Sequence, residues 1–482
     1  MNYTPKKIKR VLKNCINELS NTPELFAKNP TKDFSRTRKL PIKQMLKIVL
    51  SMTGKSICGE LMDSFDLKPN MPTASAFVQQ RNKIKSEAFE MLFHNFTDCI
   101  DEPKLFKGYR LLAVDGSDLH VPINPNEPDS FHQRKNGDKP YNLLHINALY
   151  DLERRIYVDI TVEGKKCENE PKALVKMVDR DASSVPTIYI ADRGYEAYNN
   201  MAHIQEKGQK FIIRAKDFTN GGIVHSLNLP QNNELDEDVT LYLTRKQNKT
   251  NRANLKFLPS KCVFDFWPTS CKKHIPVTPY ELKFRVVRFR LTENTYEVLI
   301  TNLDKREFNI DELKALYAMR WGIETSFRDL KYTLGLSYLH SKKTEYILQE
   351  IFARLTMYNF AELITSHVVV KQKNRKYPYR INFAAAVHVC RNFFLKIYLR
   401  RLLKLFCYSI YFQLEAVFLT REENALILLQ ASYTGYHKFF LFAILFLTDY
   451  SVCLFVMPFY KKNAQTFAFS ALLGAPSFFV LN

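Results

Sequence analysis

Between residues 105 and 215 the chain runs through three strand-like segments, then helix, strand, helix, strand. The segments RLLAVDGSDL, YNLLHINALYDL, RIYVDITVEG, TIYIADRG and QKFIIRA each join β-branched and aromatic residues to nearby turn formers. EPKALVKMVDR and AYNNMAHIQEKG carry helical spacing between the later ones. That order predicts a mixed α/β layer structure. The first strand is expected to end at Asp115 and the fourth at Asp192, with Gly116 and Gly194 close behind. Sites in open α/β sheets form at the carboxyl ends of strands. Neighbouring strands lie about 5 Å apart, so both aspartates can reach one metal ion.

The flanking segments differ. RVLKNCINEL, KQMLKIVLSM and SEAFEMLFHNF place apolar residues at helical intervals, so residues 1–100 are expected to form a helical domain. A basic stretch with Lys32, Arg36, Arg38, Lys39 and Lys43 lies among them. Thr73 can cap a short helix exposing Gln79, Gln80, Arg81 and Lys83, which suits either a helix-turn-helix reader or a plain surface helix. Residues 217–295 alternate apolar with polar residues and read as a β-rich insertion. YEVLITNL then returns the chain to the α/β core, giving core segments 105–216 and 296–370. Residues 371–401 read as a basic linker and helix; KQKNRKYPYR suits a DNA backbone or a solvated loop. Residues 402–482 hold only nine charged residues. This apolar tail admits three readings: a buried helical tail, an unselected peptide such as a frameshift product, or a membrane segment. Asp449, near the middle of FFLFAILFLTDYSVCLFVMPF, makes the membrane reading the weakest.

A third acid stands in the run Tyr317-x2-Arg320-x3-Glu324-x6-Lys331. On a straight helix these four side chains project within an arc of about 60°, and Arg328 joins their stripe. Met319, Ile323, Phe327, Leu330 and Leu334 gather on a separate apolar arc. A carboxylate among cations and a phenol suits a metal ligand in a phosphate-binding track. A solvated amphipathic helix has the same pattern.

Composition narrows the partners. The 482-residue chain carries 70 basic against 49 acidic residues, a formal net charge of +21. Such an excess attracts polyanions, nucleic acid foremost, though a membrane surface or a ribosome fits the charge equally well. Nine scattered cysteines give no disulfide framework and suit a reducing, cytoplasmic setting. Cys262, Cys271 and His274 lack a second ligand pair for zinc. Two aspartates and a glutamate are hard oxygen ligands that suit Mg²⁺ or Mn²⁺, with two ions in a two-metal arrangement. They are then ionised ligands rather than general acids. No Walker loop, HExxH pair or GxGxxG turn competes.

AVDGSDL, IADRGY and YAMRWGIETSFRDLK together resemble the motifs of bacterial insertion-sequence DDE transposases, in the subgroup with the Y-x2-R-x3-E-x6-K signature, insertion sequence family four. The resemblance covers roughly residues 30–400. It implies a ribonuclease H-like catalytic core with the β insertion between the second and third acids. It further implies Asp115, Asp192 and Glu324 as metal ligands, and Tyr317, Arg320 and Lys331 as phosphate contacts near the cleaved transposon end. The helix-face argument adds Arg328 to those DNA contacts. In some relatives an aromatic residue of the insertion stacks on a flipped base; Tyr296, just before the returning strand, suits that part, but reads more readily as a plain core or surface tyrosine. Asp118 reads as a strand-end turn residue. The implied activity is cut-and-paste transposition by a homodimer bound to terminal inverted repeats and target DNA, associated with the bacterial nucleoid. No small-molecule substrate is implied. Alternatives are another nuclease on the same core and an inactive DNA-binding remnant. The apolar tail departs from the polar, basic helices of the family.

Overall fold

The computed structural model describes residues 4–395, apart from 37, 69, 101–102, 134–138, 219–220, 228, 231–233, 247–254, 268–277, 294 and 369–380, together with short strands between 417 and 481. The run 371–380, Cys271 and His274 lie outside the described residues. The chain divides into two compact units. One comprises Met1–Ile100, Asp329–His340 and Leu348–Asn482, and the other Asp101–Arg328 and Ser341–Ile347.

Six helices open the first unit: α1 (Pro5–Asn21), α2 (Pro23–Phe26), α3 (Ile42–Ser51), α4 (Ile57–Ser64), α5 (Ala74–Arg81) and α6 (Glu87–Asp98). Thr4, Ser56 and Thr73 cap α1, α4 and α5 by accepting backbone N–H bonds, which satisfies donors that the first turn leaves free. Gln79 of α5 is exposed, but Gln80 and Arg81 are buried. This corrects the expectation that all of Gln79, Gln80, Arg81 and Lys83 face outward. The Gln80 amide donates to the Leu40 carbonyl, and Arg81 is bound by an amide and an acid from a distant helix described below.

The second unit is built on one ten-stranded sheet. Its strands are β1 (Arg110–Val121), β2 (Phe131–His132), β3 (Tyr141–Asp151), β4 (Ile156–Gly164), β5 (Thr187–Ala191), β6 (Lys210–Ala215), β7 (Leu235–Thr244), β8 (Leu255–Phe257), β9 (Tyr280–Thr292) and β10 (Thr295–Thr301). The order is β2-β3-β1-β5-β6-β10-β9-β7-β8, with β4 also paired to β3. β1, β5 and β6 are parallel neighbours. Their crossovers carry α7 (Glu170–Arg180) and α8 (Tyr198–Glu206), as parallel connections require. The strands β7–β9 extend this same sheet, because β10 pairs antiparallel with both β6 and β9. Leu112 and Val114 of β1 pack with Leu174, Met177 and Val178 of α7 and Met201 of α8 in the main apolar core of the unit. Side chains alternate across a strand, so Asp115 points to the other face of β1.

Two further helices follow β10: α9 (Ile310–Met319), opened by a reciprocal Asn309–Glu312 capping box, and α10 (Trp321–Arg328). The long helix α11 (Thr344–Thr365) and α12 (Phe383–Leu395) complete the described helices. The stretch FFLFAILFLTDYSVCLFVMPF forms two paired antiparallel strands, Phe439–Thr448 and Ser451–Tyr460, not a helix. Among the described residues no helix is long and apolar enough to cross a membrane.

Within the first unit α11 carries unusual cargo: Gln349, Glu350, Arg354 and Asn359 are fully buried. Buried charges persist only when paired. Arg81 donates to Gln349 (2.8 Å) and Glu350 (2.9 Å), and His340 Nδ1 lies 2.9 Å from Glu350. Arg354 donates to the carbonyls of Met52 and Thr53. The N-terminal helices are thus stitched to α11 by a buried ionic network. Burial disfavours the Glu350 charge, but the His340 hydrogen bond and the charges of Arg81 and Arg354 prevail and lower its carboxyl to about 2.

Glu350→Ala is expected to cost about 3–5 kcal/mol, because it strands buried cations; the denaturant midpoint reads this loss. A depressed carboxyl contributes stability above its unfolded value of 4.5 and loses it as pH falls towards about 2. Acid titration of wild type should show a destabilising step across that window which Glu350→Gln lacks.

Candidate active site

The parallel pairing of β1 with β5 ends at the row Val114↔Ala191. Asp115 and Asp192 are the next residue on each strand, so the register sets them side by side. β1 does not stop at Asp115, as expected from the sequence; it continues to Val121 because the longer β3 keeps supplying partners, Asp115↔Ala148 onwards.

The Tyr317–Lys331 segment is not one straight helix. It breaks at Arg320, where the N–H groups of Arg320 and Ile323 bond carbonyls only three residues back. After Arg328 it widens into a π-helical turn over Asp329–Thr333, closed by Leu334 N–H on the Asp329 carbonyl. The single-stripe projection therefore fails at Arg320 and again after Arg328, while Glu324 and Arg328 keep their four-residue spacing within α10. Tyr317, Arg320 and Glu324 still converge with the strand-borne acids. Tyr317 Oη donates to Asp192 Oδ1 at 3.2 Å. Arg320 Nη2 donates to Glu324 Oε1 at 2.7 Å, and its Nη1 lies 3.4 Å from Asp115 Oδ2. Arg328 is exposed at the end of α10, and Lys331 falls in the π-helical turn, half-buried.

Arg320 is the centre of this arrangement, with its side chain only 4% exposed. Its Nε is buried without a hydrogen-bond partner. Expected as a phosphate contact, it here joins an acid on the sheet to an acid on a helix. Burial raises Asp115 to about 6; Arg320 and the Gly116 N–H oppose this, whereas Glu324 and Asp192 add to it. Burial would raise Asp192 as well, but the Arg193 N–H, Arg320, Arg214 and Tyr317 lower it. Burial lifts the Tyr317 phenol to about 12, so it stays a donor. Burial thus holds Asp115 above the usual carboxylate range, whereas cations and donors hold Asp192 below it. Hard oxygen donors of this kind suit a small divalent cation.

Two members of the site have no motif to announce them. Arg214 of β6 lies 3.5 Å from Asp192 and 3.0 Å from Glu297 of β10. Only the strand order β5-β6-β10 brings them together; a basic residue at a strand end and an acid mid-strand give no signal in sequence.

A second ionic cluster lies on the other face of β1. Asp118, expected at a turn, sits within β1 and meets His145 Nδ1 at 2.6 Å. Asp118, His145 and Glu168 place one potential ligand atom each within 4.8 Å of one another. The Lys165 ammonium already bridges the two carboxylates, 2.9 Å from Asp118 and in contact with Glu168, so the cluster is an ion-pair network. Tyr296 lies under the Arg288 guanidinium, 3.9 Å from ring centroid to Cζ. Arg288 in turn pairs with Asp217.

Residues 106–360 match the family described as Transposase DDE domain, more than half of the chain. The chain belongs to the DDE transposase family. This transposase is 23% identical over 341 residues to transposase InsG for insertion sequence element IS4 of Escherichia coli (strain K12), across 67% of its own length and 70% of that protein. That likeness agrees with the insertion-sequence motifs. A structure of the piggyBac transposase synaptic complex with hairpin DNA aligns with a TM-score of 0.43 and 11% identity, covering 85% of each chain.

Arg320→Gln withdraws the shared cation from Asp115 and Glu324. The expected loss without added metal is about 1.5–3 kcal/mol, as for a charged hydrogen bond. Added Mg²⁺ should recover more stability in the variant than in wild type. Thermal unfolding with and without Mg²⁺ measures both effects, and identical midpoints would deny Arg320 this part.

Proposed function

We propose that this transposase performs cut-and-paste transposition of an insertion sequence. It hydrolyses the phosphodiester at each element end and joins the freed 3′-hydroxyl to target DNA. The observation carrying this reading is the convergence of Asp115, Asp192 and Glu324 about Arg320. The strand order around β3-β1-β5-β6 favours a ribonuclease H-like core, with β7–β9 as an insertion ahead of the third acid.

Asp115, Asp192 and Glu324 would hold Mg²⁺ or Mn²⁺, two ions in the full arrangement. Such ions activate an attacking water or 3′-hydroxyl and stabilise the leaving oxygen. The protein's own part is positioning. Tyr317 fixes the Asp192 carboxylate by its hydroxyl, and Arg214 adds a cation beside it. Arg320 holds Glu324 and Asp115 towards each other until ligands replace it. We assign Tyr317 and Arg320 to the acids first and to DNA phosphates next to them second. Arg328 and Lys331 are proposed to contact the backbone near the cut. Cleavage of two ends implies a homodimer on DNA.

In the first unit, a cleft of about 340 Å³ is lined by Lys32, Arg36, Arg38 and Lys83, with Gln80 at its wall. Its cations suit the backbone of the inverted repeat. Each neutralised phosphate releases condensed counterions, so the binding should be salt-dependent. Changing Arg36 and Arg38 to Ala is expected to weaken repeat binding and reduce the log–log salt slope by about 2, measured by anisotropy between about 50 and 200 mM salt, a range over which that change alters the loss of affinity by about sixteenfold.

The decisive experiment supplies a DNA fragment bearing the element's ends with Mg²⁺. Wild type should cleave and join; Asp192→Ala should lose cleavage by about a thousandfold or more while keeping DNA affinity. Cleavage without joining would point to a different nuclease on this core. Equal inertness of both proteins, with DNA binding intact, would leave a DNA-binding remnant.

A further inference from the structure

The glycines that follow the two aspartates face a common neighbour. A Cβ built on Gly116 would stand 2.7 Å from Glu170 Oε1 and 2.6 Å from His145 Nε2. A Cβ on Gly194 would stand 2.2 Å from Glu170 Oε2, and nothing but the Glu170 side chain lies within 4 Å of it. One carboxylate therefore occupies both places that side chains would otherwise fill, one oxygen over each glycine. Glu170 is the first residue of α7. It approaches from the face of β1 opposite to Asp115, since Asp115 and Gly116 are consecutive on a strand. His145 backs it: the imidazole is 4% exposed, its Nε2 is buried without a hydrogen-bond partner, and that atom lies 3.6 Å from Glu170 Oε1.

We propose that Glu170 is a positioning residue for the metal site, a wedge beneath the two backbone stretches that carry Asp115 and Asp192. The inference rests on the metal-site reading above. Neither glycine adopts a backbone conformation that demands glycine, since no positive φ is found at 116 or 194. Gly194 lacks a side chain because the Glu170 carboxylate takes its place. The wedge sets the separation of the two strand ends, and with it the separation of the two aspartates. It acts through shape, so an amide of the same size should serve.

The test measures Mn²⁺ affinity of the full-length chain by calorimetry without DNA, alongside DNA-end cleavage. Glu170→Ala should bind Mn²⁺ about tenfold more weakly, the scale of outer-shell substitutions, while its thermal midpoint stays close to wild type. Glu170→Gln should restore near-wild-type affinity. Gly194→Ala, by pushing the carboxylate aside, should reproduce the Glu170→Ala defect. The double variant Gly194→Ala with Glu170→Ala should be no weaker than either single one, because both remove the same wedge. Additive losses, or a Glu170→Ala protein with wild-type Mn²⁺ affinity, would overturn the proposal. Asp192→Ala separates the two levels. If it loses Mn²⁺ binding while the Glu170 variants keep it, the wedge fails and the metal site stands. If it binds Mn²⁺ unchanged, the metal-site reading fails and takes the wedge with it. Should Glu170→Ala not fold, Glu170→Gln and Gly194→Ala still decide.

Discussion

One buried guanidinium governs the second unit. Arg320 reaches Asp115 on the sheet and Glu324 on α10, and without it these half-buried acids would lose the cation they share. Two carboxylates in such a setting repel by several kcal/mol unless a cation intervenes, because the local dielectric is far below that of water. The break between α9 and α10 falls at this residue. A continuous helix would carry Arg320 as one more solvated cation on a stripe. The three-residue turn at the break instead accompanies its burial, while Tyr317 and Glu324 flank it on separate helices. Arginine suits the task because its planar fork spans two carboxylates at once and never gives up its charge.

The strands were readable because β-branched and aromatic residues cluster between turn formers, and the β1, β3, β4, β5, β6 segments coincide with that pattern. Their chain order also put Asp115 and Asp192 at strand ends within reach of each other; that the two strands pair in parallel is seen only in the structure. The extent of β1 was not readable: whether a strand stops depends on its partner, and β3 carries the pairing past Asp115. Gly322, two residues after Arg320, is a residue at which a helix can kink, but the position of the break and the π-helical turn were not readable, since a glycine signals a weak helix and not where it yields. Arg81 shows a third kind of limit. It looks like a recognition residue on a short polar helix, yet its partners Gln349 and Glu350 lie 268 and 269 residues away. Burial by a distant segment leaves no local trace.

Glu170 escaped notice for a related reason. An acid at the first turn of a helix is already explained by the helix dipole. Gly116 and Gly194 looked like ordinary turn formers after strands. Only the register that brings the Asp115 and Asp192 stretches together on one edge reveals that the glycines and the glutamate belong to one arrangement.

Alternation along β1 then divides the labour. Leu112 and Val114 point into the core with α7 and α8, while Asp115 points to the acids and Arg320. Gly116 and Asp118 return to the α7 face, where His145, Lys165, Glu168 and Glu170 are gathered. On one face Asp115 and Glu324 share Arg320, and on the other Asp118, His145, Lys165 and Glu168 pair among themselves. Past the Val114↔Ala191 row β5 no longer supports β1, while β3 pairs with it as far as Val121. The charged cluster behind Gly116 backs this stretch where one neighbour has been lost. The proposed ligand Asp115 therefore sits where β1 keeps one strand partner and gains a charged backing in place of the other.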